Sequence, residues 1–372
     1  MPVFDVAIVG AGIVGAACAL ECVRAGLRTA VIEANIPGGG ATAAGMGHIV
    51  AMDDSEAQFA LTCYSRELWN SSVAKLPDDV EYVRCGTIWI AAGEDEIQEV
   101  RRKQSFYQER STRAELLDAR SLAEAEPNLR PGLAGGLLVP DDCVIYPPCA
   151  ARFLLKEALR GGATLFSGKR AAKLHEDGVT LEDGSFVACG AAVNACGARA
   201  PNLTPECSLQ PRKGHLLITD RYPGFVRHQL VELGYLKSAH SVTGDSVAFN
   251  VQPRRTGQVL IGSSRQYGNE EAVADARILG AMLRRAGEYM PGIGQLSGIR
   301  AWTGFRAATP DKLPLIGRCP GRKNVWLATG HEGLGITTSL GTARLLVDQM
   351  LGRISEISPE PYLPERALVA HG

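Results

Sequence analysis

Between an apolar strand pattern at residues 3–9 and an Ala-rich helical pattern at 12–25 stands Gly10-Ala11-Gly12-Ile13-Val14-Gly15, a GxGxxG turn that restricts the fold more than any other feature. A second apolar strand pattern at 28–32 completes a βαβ unit and ends on Glu33. Each glycine has its own physical task. The first makes the tight turn, the second lets the backbone approach a pyrophosphate, and the third allows close packing of helix on strand. The helix N-terminus then faces the phosphates. Glu33 is placed to accept hydrogen bonds from an adenosine ribose, and its charge argues against a 2′-phosphate. Gly10, Gly12, Ile13, Val14, Gly15, Glu33 and the adjoining Ala34 are therefore candidate contacts to a dinucleotide, and the turn alone does not separate NAD from FAD.

The rest of the 372-residue chain predicts an α/β (α+β) protein: a Rossmann-like cofactor domain with an inserted, mixed antiparallel-sheet substrate domain. The expected pieces are 1–80, 145–210 and 318–372 for the cofactor domain, and 81–144 and 211–317 for the substrate domain. Helical patterns occur at 55–75, 95–117, 147–161, 271–290 and 336–351, and the stretch 37–47 reads as a Gly-rich loop. With 39 basic and 40 acidic residues the net charge is -1, which leaves no electrostatic footprint for nucleic acid. Ten cysteines without a CxxC pair suggest neither zinc nor an iron–sulfur cluster, so no metal site is expected. They read as small buried hydrophobes in a reducing cytoplasm. The apolar run at 6–20 lacks a basic segment before it and is too short to span a bilayer, which also points to the cytoplasm.

Three further segments favour FAD. Gly38-Gly39-Gly40-Ala41-Thr42-Ala43-Ala44-Gly45-Met46-Gly47 follows the acid directly and suits a small-residue backbone against phosphate, ribityl and ring; a plain flexible loop is the other reading. Val193-Asn194-Ala195-Cys196-Gly197 is a strand ending in small residues, as expected where the chain returns beside the dinucleotide; Ala195 and Gly197 are its candidate contacts. Gly330-His331-Glu332-Gly333-Leu334-Gly335 precedes a long helix, whose N-terminus, with Ile336 and Thr337, suits negative charge on a reduced flavin. His331 by itself reads more often as a satisfied structural histidine and is not taken as catalytic. His48 faces ring or substrate in one reading and is packed or solvated in the other.

Together these features resemble the D-amino acid oxidase superfamily, in its glycine oxidase-like and heteromeric dehydrogenase β-subunit branch. The likeness runs over essentially the whole chain. It also rests on the segment from Trp302 to Gly317, in which Gly304, Arg306, Thr309, Asp311, Pro314, Ile316 and Gly317 are similar to the family's G-x-R-x-x-T-x-D-x-x-P-x-I-G pattern. The resemblance implies that Arg306 pairs the substrate carboxylate, a two-pronged task suited to a guanidinium and not to an ammonium. It implies that the strand-turn-strand from Asn250 to Gly262 lies over the substrate, with Asn250 where glycine oxidases carry a tyrosine. Gly304 stands where sarcosine oxidase-like relatives attach flavin through cysteine, which implies non-covalent FAD.

The reaction so implied is oxidation of a small α-amino acid by hydride transfer from Cα to flavin N5, giving an imine, with Arg306, Asn250 and His48 as substrate-side residues. Met46-Gly47-His48-Ile49-Val50 and Gly330-His331-Glu332-Gly333 most resemble D-hydroxyproline dehydrogenases and related opine- or cyanide-forming β subunits. That likeness implies cis-4-hydroxy-D-proline or D-proline as substrate and a pyrroline as product. It also implies partner subunits carrying FAD and a [2Fe-2S] cluster, or a quinone acceptor with peripheral membrane association. A homo-oligomer is compatible with it. An oxygen-using oxidase and a flavin-holding subunit without its own substrate remain open.

Overall fold

The computed structural model describes residues 3–234 and 245–367. The chain divides into two compact units, one comprising Met1–Val80, Tyr146–Pro211 and Phe305–Gly372, the other Glu81–Ile145 and Arg212–Gly304. The segment 305–317, expected with the substrate domain, lies in the first unit. There Leu315–Arg318 pairs antiparallel with Val325–Thr329, and this pairing draws the preceding residues with it.

The first unit is built on a sheet ordered Leu315–Arg318, Val325–Thr329, Phe186–Asn194, Phe4–Val9, Thr29–Glu33, Thr164–Ser167, to which the strands Ala171–Leu174 and Gly178–Leu181 add a meander. The central pairs are parallel. Parallel strands buried on both faces carry continuous apolar runs, and Val6 to Val9 and Ala30 to Ile32 are such runs. The helix Ile13–Arg24 packs against Pro147–Arg160 and Gly335–Leu351, and the latter also packs against Glu56–Ser72. Each helix has its boundary chemistry. Ser55 Oγ accepts from the Gln58 amide at 3.1 Å, Pro147 occupies the first turn of its helix, and Gly352 ends the C-terminal helix with φ 63°.

The second unit is built on an eight-stranded sheet ordered Gly298–Ala308 (its residues from Phe305 counted in the first unit), Gln210–Arg221, Gln258–Arg265, Ser246–Pro253, Gln229–Glu232, Thr87–Ala91, Gly135–Val139, Glu115–Asp118. One face carries Ile88, Ile90, Leu230, Phe249, Val251 and Ile261, which pack on Ala286, Tyr289 and Met290 of and after the helix Ala276–Tyr289. Phe249 stacks on Tyr289 with centroids 4.5 Å apart.

Several local expectations are corrected. The helix expected over 95–117 ends at Glu109, because Ser111 takes a left-handed φ of 56° and the Thr112 amide turns back to the Tyr107 carbonyl at 2.8 Å. A strand, Glu115–Asp118, follows. The helix expected from 271 starts at Ala276, because the Asp275 carboxylate caps it by accepting from the Arg277 amide at 2.8 Å. The glycine loop at 37–47 contains one helical turn, Gly40–Ala43.

Candidate active site

The elements described next belong to the first unit, apart from Gly304, Asn250 and the part of the strand Gly298–Ala308 before Phe305. Gly10 takes φ 103°, and a Cβ there would lie 2.7 Å from the Ala195 carbonyl oxygen. A Cβ on Gly15 would lie 1.9 Å from the Gly10 carbonyl oxygen, an overlap no rearrangement of side chains relieves. The two positions therefore require glycine for backbone reasons, and the strand ending at Asn194 returns directly beneath the turn, where the Ala195 amide donates to the Val9 carbonyl at 2.9 Å. Gly197, with φ 55°, follows in the same return and has open space where a Cβ would be.

Glu33 holds the turn as well as facing it. One carboxylate oxygen accepts from the Ala11 amide at 2.7 Å and the other from the Asn35 amide at 2.7 Å. A carboxylate has about four acceptor directions, so lone pairs remain for a ribose. Ala34, half-buried, continues from it. Thr42 was expected only as part of a small-residue backbone, yet its buried hydroxyl accepts from the Ile13 amide at 3.0 Å and ties the glycine loop to the first helix. A Cβ on Gly12 would stand 3.2 Å from that hydroxyl.

The C-terminal helix enters at the same place. A Cβ on Gly335 would lie 3.8 Å from Val14 Cγ2 and 3.3 Å from His331 Cβ, so the starts of the first and last helices are neighbours. Gly45 lies close under Ile336: a Cβ there would fall 2.5 Å from Ile336 Cδ1. The Thr337 hydroxyl donates to the His48 carbonyl at 2.7 Å, which draws Met46, Gly47 and His48 to the first turn of that helix. Ala43 and Ala44 lie in and just after the short helical turn between these points.

His331 is buried, and its Nε2 pairs with the Thr342 hydroxyl at 2.9 Å. Burial pushes its imidazole down to about 3, so the ring is neutral at physiological pH. Between the ordinary histidine value and about 3 the unfolded chain takes a proton that the folded protein refuses. The stability it contributes is complete above the unfolded value and is lost as pH falls. A His331→Asn variant is accordingly expected to show a shallower loss of stability between pH 6 and 4 than the parent, by up to about 1.4 kcal/mol per pH unit. Denaturant melts at several pH values measure it, and parallel curves for the two proteins would exclude this histidine as the source.

Glu332 takes a left-handed φ of 52°, unusual for a side chain of this kind, and its amide donates to the Ala307 carbonyl at 2.9 Å. That bond places Gly333 and Leu334 next to the end of the strand Gly298–Ala308. A Cβ on Gly333 would stand 3.6 Å from Arg306 Nε. The half-buried Arg306 therefore runs along the turn that opens the C-terminal helix. Gly304, two residues earlier, is the last residue of the second unit, and Asn250 lies within that unit, buried on the strand Ser246–Pro253.

Two residues that organise this region carried no signal in the sequence. Trp69 Nε1 donates to the Ile336 and Thr337 carbonyls at 3.3 and 3.2 Å. Arg366 Nε donates to Asp311 at 2.6 Å, and its guanidinium also reaches the Leu313 and Pro314 carbonyls, which holds the turn after Arg306 from a point near the C-terminus. Both contacts join positions far apart in the chain, and neither residue lies in a recognisable spacing.

The residues present fit a dinucleotide. The helices Ile13–Arg24 and Gly335–Leu351 both start without a side-chain cap and without an acidic residue in the first turn. Apart from the Ile13 amide, which Thr42 holds, the start of the first helix lies beside Gly10 and Gly15, whose Cβ positions are blocked, and its positive dipole end suits an anion. A model of the FAD-dependent oxidoreductase family matches residues 5–349. The chain belongs to that family. Within it, glycine oxidase of Geobacillus kaustophilus is 29% identical over 360 residues, covering 93% of this chain and 92% of its own. The hydrogen cyanide synthase subunit HcnC of Pseudomonas aeruginosa is 24% identical, covering 99% and 98%. The crystal structure of the Geobacillus glycine oxidase superposes with a TM-score of 0.86 at 27% identity, over 97% of this chain and 98% of that one. The protein is thus an enzyme with FAD as its cofactor, built on the family's FAD-binding fold. Among the described residues no helix is long and apolar enough to cross a membrane.

Proposed function

We propose that this enzyme oxidises a small amino acid at its carbon–nitrogen bond, with Arg306 pairing the substrate carboxylate. The observation that carries the reading is the position of Arg306 beside Gly333, in the turn whose helix start adjoins the glycine turn of the first helix. FAD, when bound, supplies the electron and hydride acceptor for this chemistry. The chain's own part is to bind and orient. The guanidinium fork fixes the carboxylate plane and thereby the direction in which the Cα hydrogen points. The uncapped starts of the first and last helices offer positive dipole ends to the diphosphate and to charge gathering on the reduced ring. His331 is neutral and inward-bonded, so it fits a packing role and leaves acid–base work to the state in which the amine arrives. With glycine at position 304, the flavin is held without a covalent bond.

The finer reading is a cyclic D-amino acid, D-proline or cis-4-hydroxy-D-proline, giving a pyrroline and passing electrons to partner subunits or a quinone. Its support is the likeness of the segments around Met46 and His331 to dehydrogenase subunits, together with the match to HcnC, itself a subunit. An oxygen-using enzyme is the second reading, favoured by the higher identity to glycine oxidase. Anaerobic mixing of the yellow protein with glycine, sarcosine and the D- and L-prolines decides the substrate, since the true one bleaches the flavin. Oxygen uptake compared with dye reduction then separates oxidase from dehydrogenase. A flavin that none of these amino acids bleaches would overturn the reading.

A further inference from the structure

The first unit brings two thiols together from distant parts of the chain. Cys207 lies in the bend before the strand Gln210–Arg221, and Cys319 stands directly after the strand Leu315–Arg318. Both belong to one apolar core, with Cys207 5% and Cys319 1% exposed. Arg322 stitches the two segments. Its amide donates to the Cys319 carbonyl at 3.1 Å, while its guanidinium donates to the Leu203 carbonyl at 2.9 Å and stands 3.9 Å from the Glu206 carboxylate. Across this junction the Cys319 thiol donates a hydrogen bond to the Cys207 sulfur. The Cys207 thiol in turn donates to Thr204 Oγ1 at 3.4 Å.

A buried thiol is ordinarily inert, because burial penalises the thiolate that does the chemistry. Cys18, Cys22, Cys85, Cys189 and Cys196 follow that rule, and burial pushes each of their thiols up. Cys207 departs from it. The hydrogen bond from Cys319 holds its thiol below the ordinary value in spite of burial, with Thr204 adding to the effect, and the same bond pushes Cys319 up. Arg322 and Glu206 act on Cys207 with opposite signs. The pair is thus divided into an attacking sulfur and a proton-bearing neighbour in contact with it. Neither residue lies inside a helix or strand, so each can turn to bring the sulfurs to the separation of about 2.05 Å that a disulfide needs.

We infer that Cys207 and Cys319 form a dithiol that a peroxide converts reversibly into a disulfide. The Cys207 thiolate attacks one oxygen of hydrogen peroxide: an S–O bond forms, the O–O bond breaks, and the departing hydroxide leaves as water with the thiol proton. The Cys319 sulfur then attacks Cys207, the S–S bond forms, the S–O bond breaks, and a second water carries away the second proton. Two thiols lose two electrons, and one peroxide becomes two waters. The step is independent of which substrate the enzyme oxidises.

The test treats the reduced, folded, FAD-loaded protein with hydrogen peroxide, then unfolds it in N-ethylmaleimide and maps the peptides without reductant. A Cys207–Cys319 linked peptide is expected, with both thiols lost and both recovered by dithiothreitol, while Cys18 and Cys22 are still alkylated. Cys207→Ser is expected to slow peroxide modification of Cys319 at least about tenfold. Cys319→Ser leaves Cys207 to be trapped by dimedone as a sulfenic acid, and Tm and FAD content show that each variant is folded. Alkylation of both cysteines after peroxide treatment of the parent, or a linked peptide that forms only when the chain is unfolded first, overturns the inference. A Cys319 that is oxidised equally fast without Cys207 overturns the assignment of the attacking sulfur.

Discussion

Arg306→Leu is expected to lower kcat/KM on the amino acid about a hundredfold while FAD stays bound at full occupancy. The magnitude follows from what the substitution leaves behind: a carboxylate withdrawn from water with no guanidinium to meet it. Because the carboxylate is held in ground and transition states alike, most of the loss is expected in KM, with a smaller loss in kcat where orientation of the Cα hydrogen relaxes. Arg306→Lys is expected to recover only part, since an ammonium supplies charge without the planar fork. Steady-state kinetics with an artificial dye, alongside the flavin absorbance of the purified variant, measure both quantities. Unaltered kinetics in the leucine variant would remove Arg306 from substrate binding. Its neighbour Gly333 provides a check on geometry: the Cβ of Gly333→Ala meets Arg306 Nε at 3.6 Å, an ordinary contact, so kinetics and flavin content are expected to stay close to the parent's.

Gly15→Val is expected to yield protein without flavin, or no folded protein at all. The added Cβ alone falls 1.9 Å from the Gly10 carbonyl oxygen, and that oxygen belongs to a backbone pinned by the Gly10 amide's bond to Ile32 at 2.8 Å. Overlap of this kind costs about 3 kcal/mol, the upper end of what overpacking usually costs, and the turn must open to relieve it. Opening the turn withdraws the first-turn amides from the place where a diphosphate would sit, so bound FAD is expected to drop below about a tenth of stoichiometric. Gly12→Ala is expected to be milder, since its Cβ meets only the Thr42 hydroxyl, at 3.2 Å. Flavin-to-protein absorbance ratios and thermal melts of the two variants make the comparison. A fully yellow Gly15→Val protein would contradict the assigned geometry of the turn.

The two predictions differ in how they became visible. The glycine turn is local: strand, turn and helix follow one another within a few residues, and the constraint each glycine meets is its own backbone or that of the next turn. Sequence patterns report such constraints well, and the parallel βαβ start and the C-terminal helix Gly335–Leu351 lie where the patterns put them, while the return strand runs Phe186–Asn194 and ends where the stretch 193–197 was expected to be strand. Arg306 is different. As a residue it is one of many exposed-looking arginines, and only its place in a longer pattern singled it out. Helix ends misjudged from periodicity, as at Glu109 and Ala276, trace to a single left-handed residue and a single carboxylate cap, which a hydrophobic period does not encode.

Polar residues in strands show the same boundary most sharply. Thr87, Gln229 and Asn250 occupy positions that alternation assigns to solvent, and the strand Gln229–Glu232 is too short to stand out at all. Their burial arises from how the chain is packed. Alternation with period two says which residues share a face, and it says nothing about what covers that face. The contacts of Trp69 with Ile336 and of Arg366 with Asp311 are of this kind too, because each joins segments separated by more of the chain than any local pattern spans. What the amino-acid order alone settles here is the chemistry that short-range sterics enforce: the phosphate-facing turn, its acid, and the class of cofactor they suit. Which distant side chains steady that turn, and which polar residues of a strand are buried, follows only from long-range packing, since burial is a property of the whole folded chain and not of any segment in it.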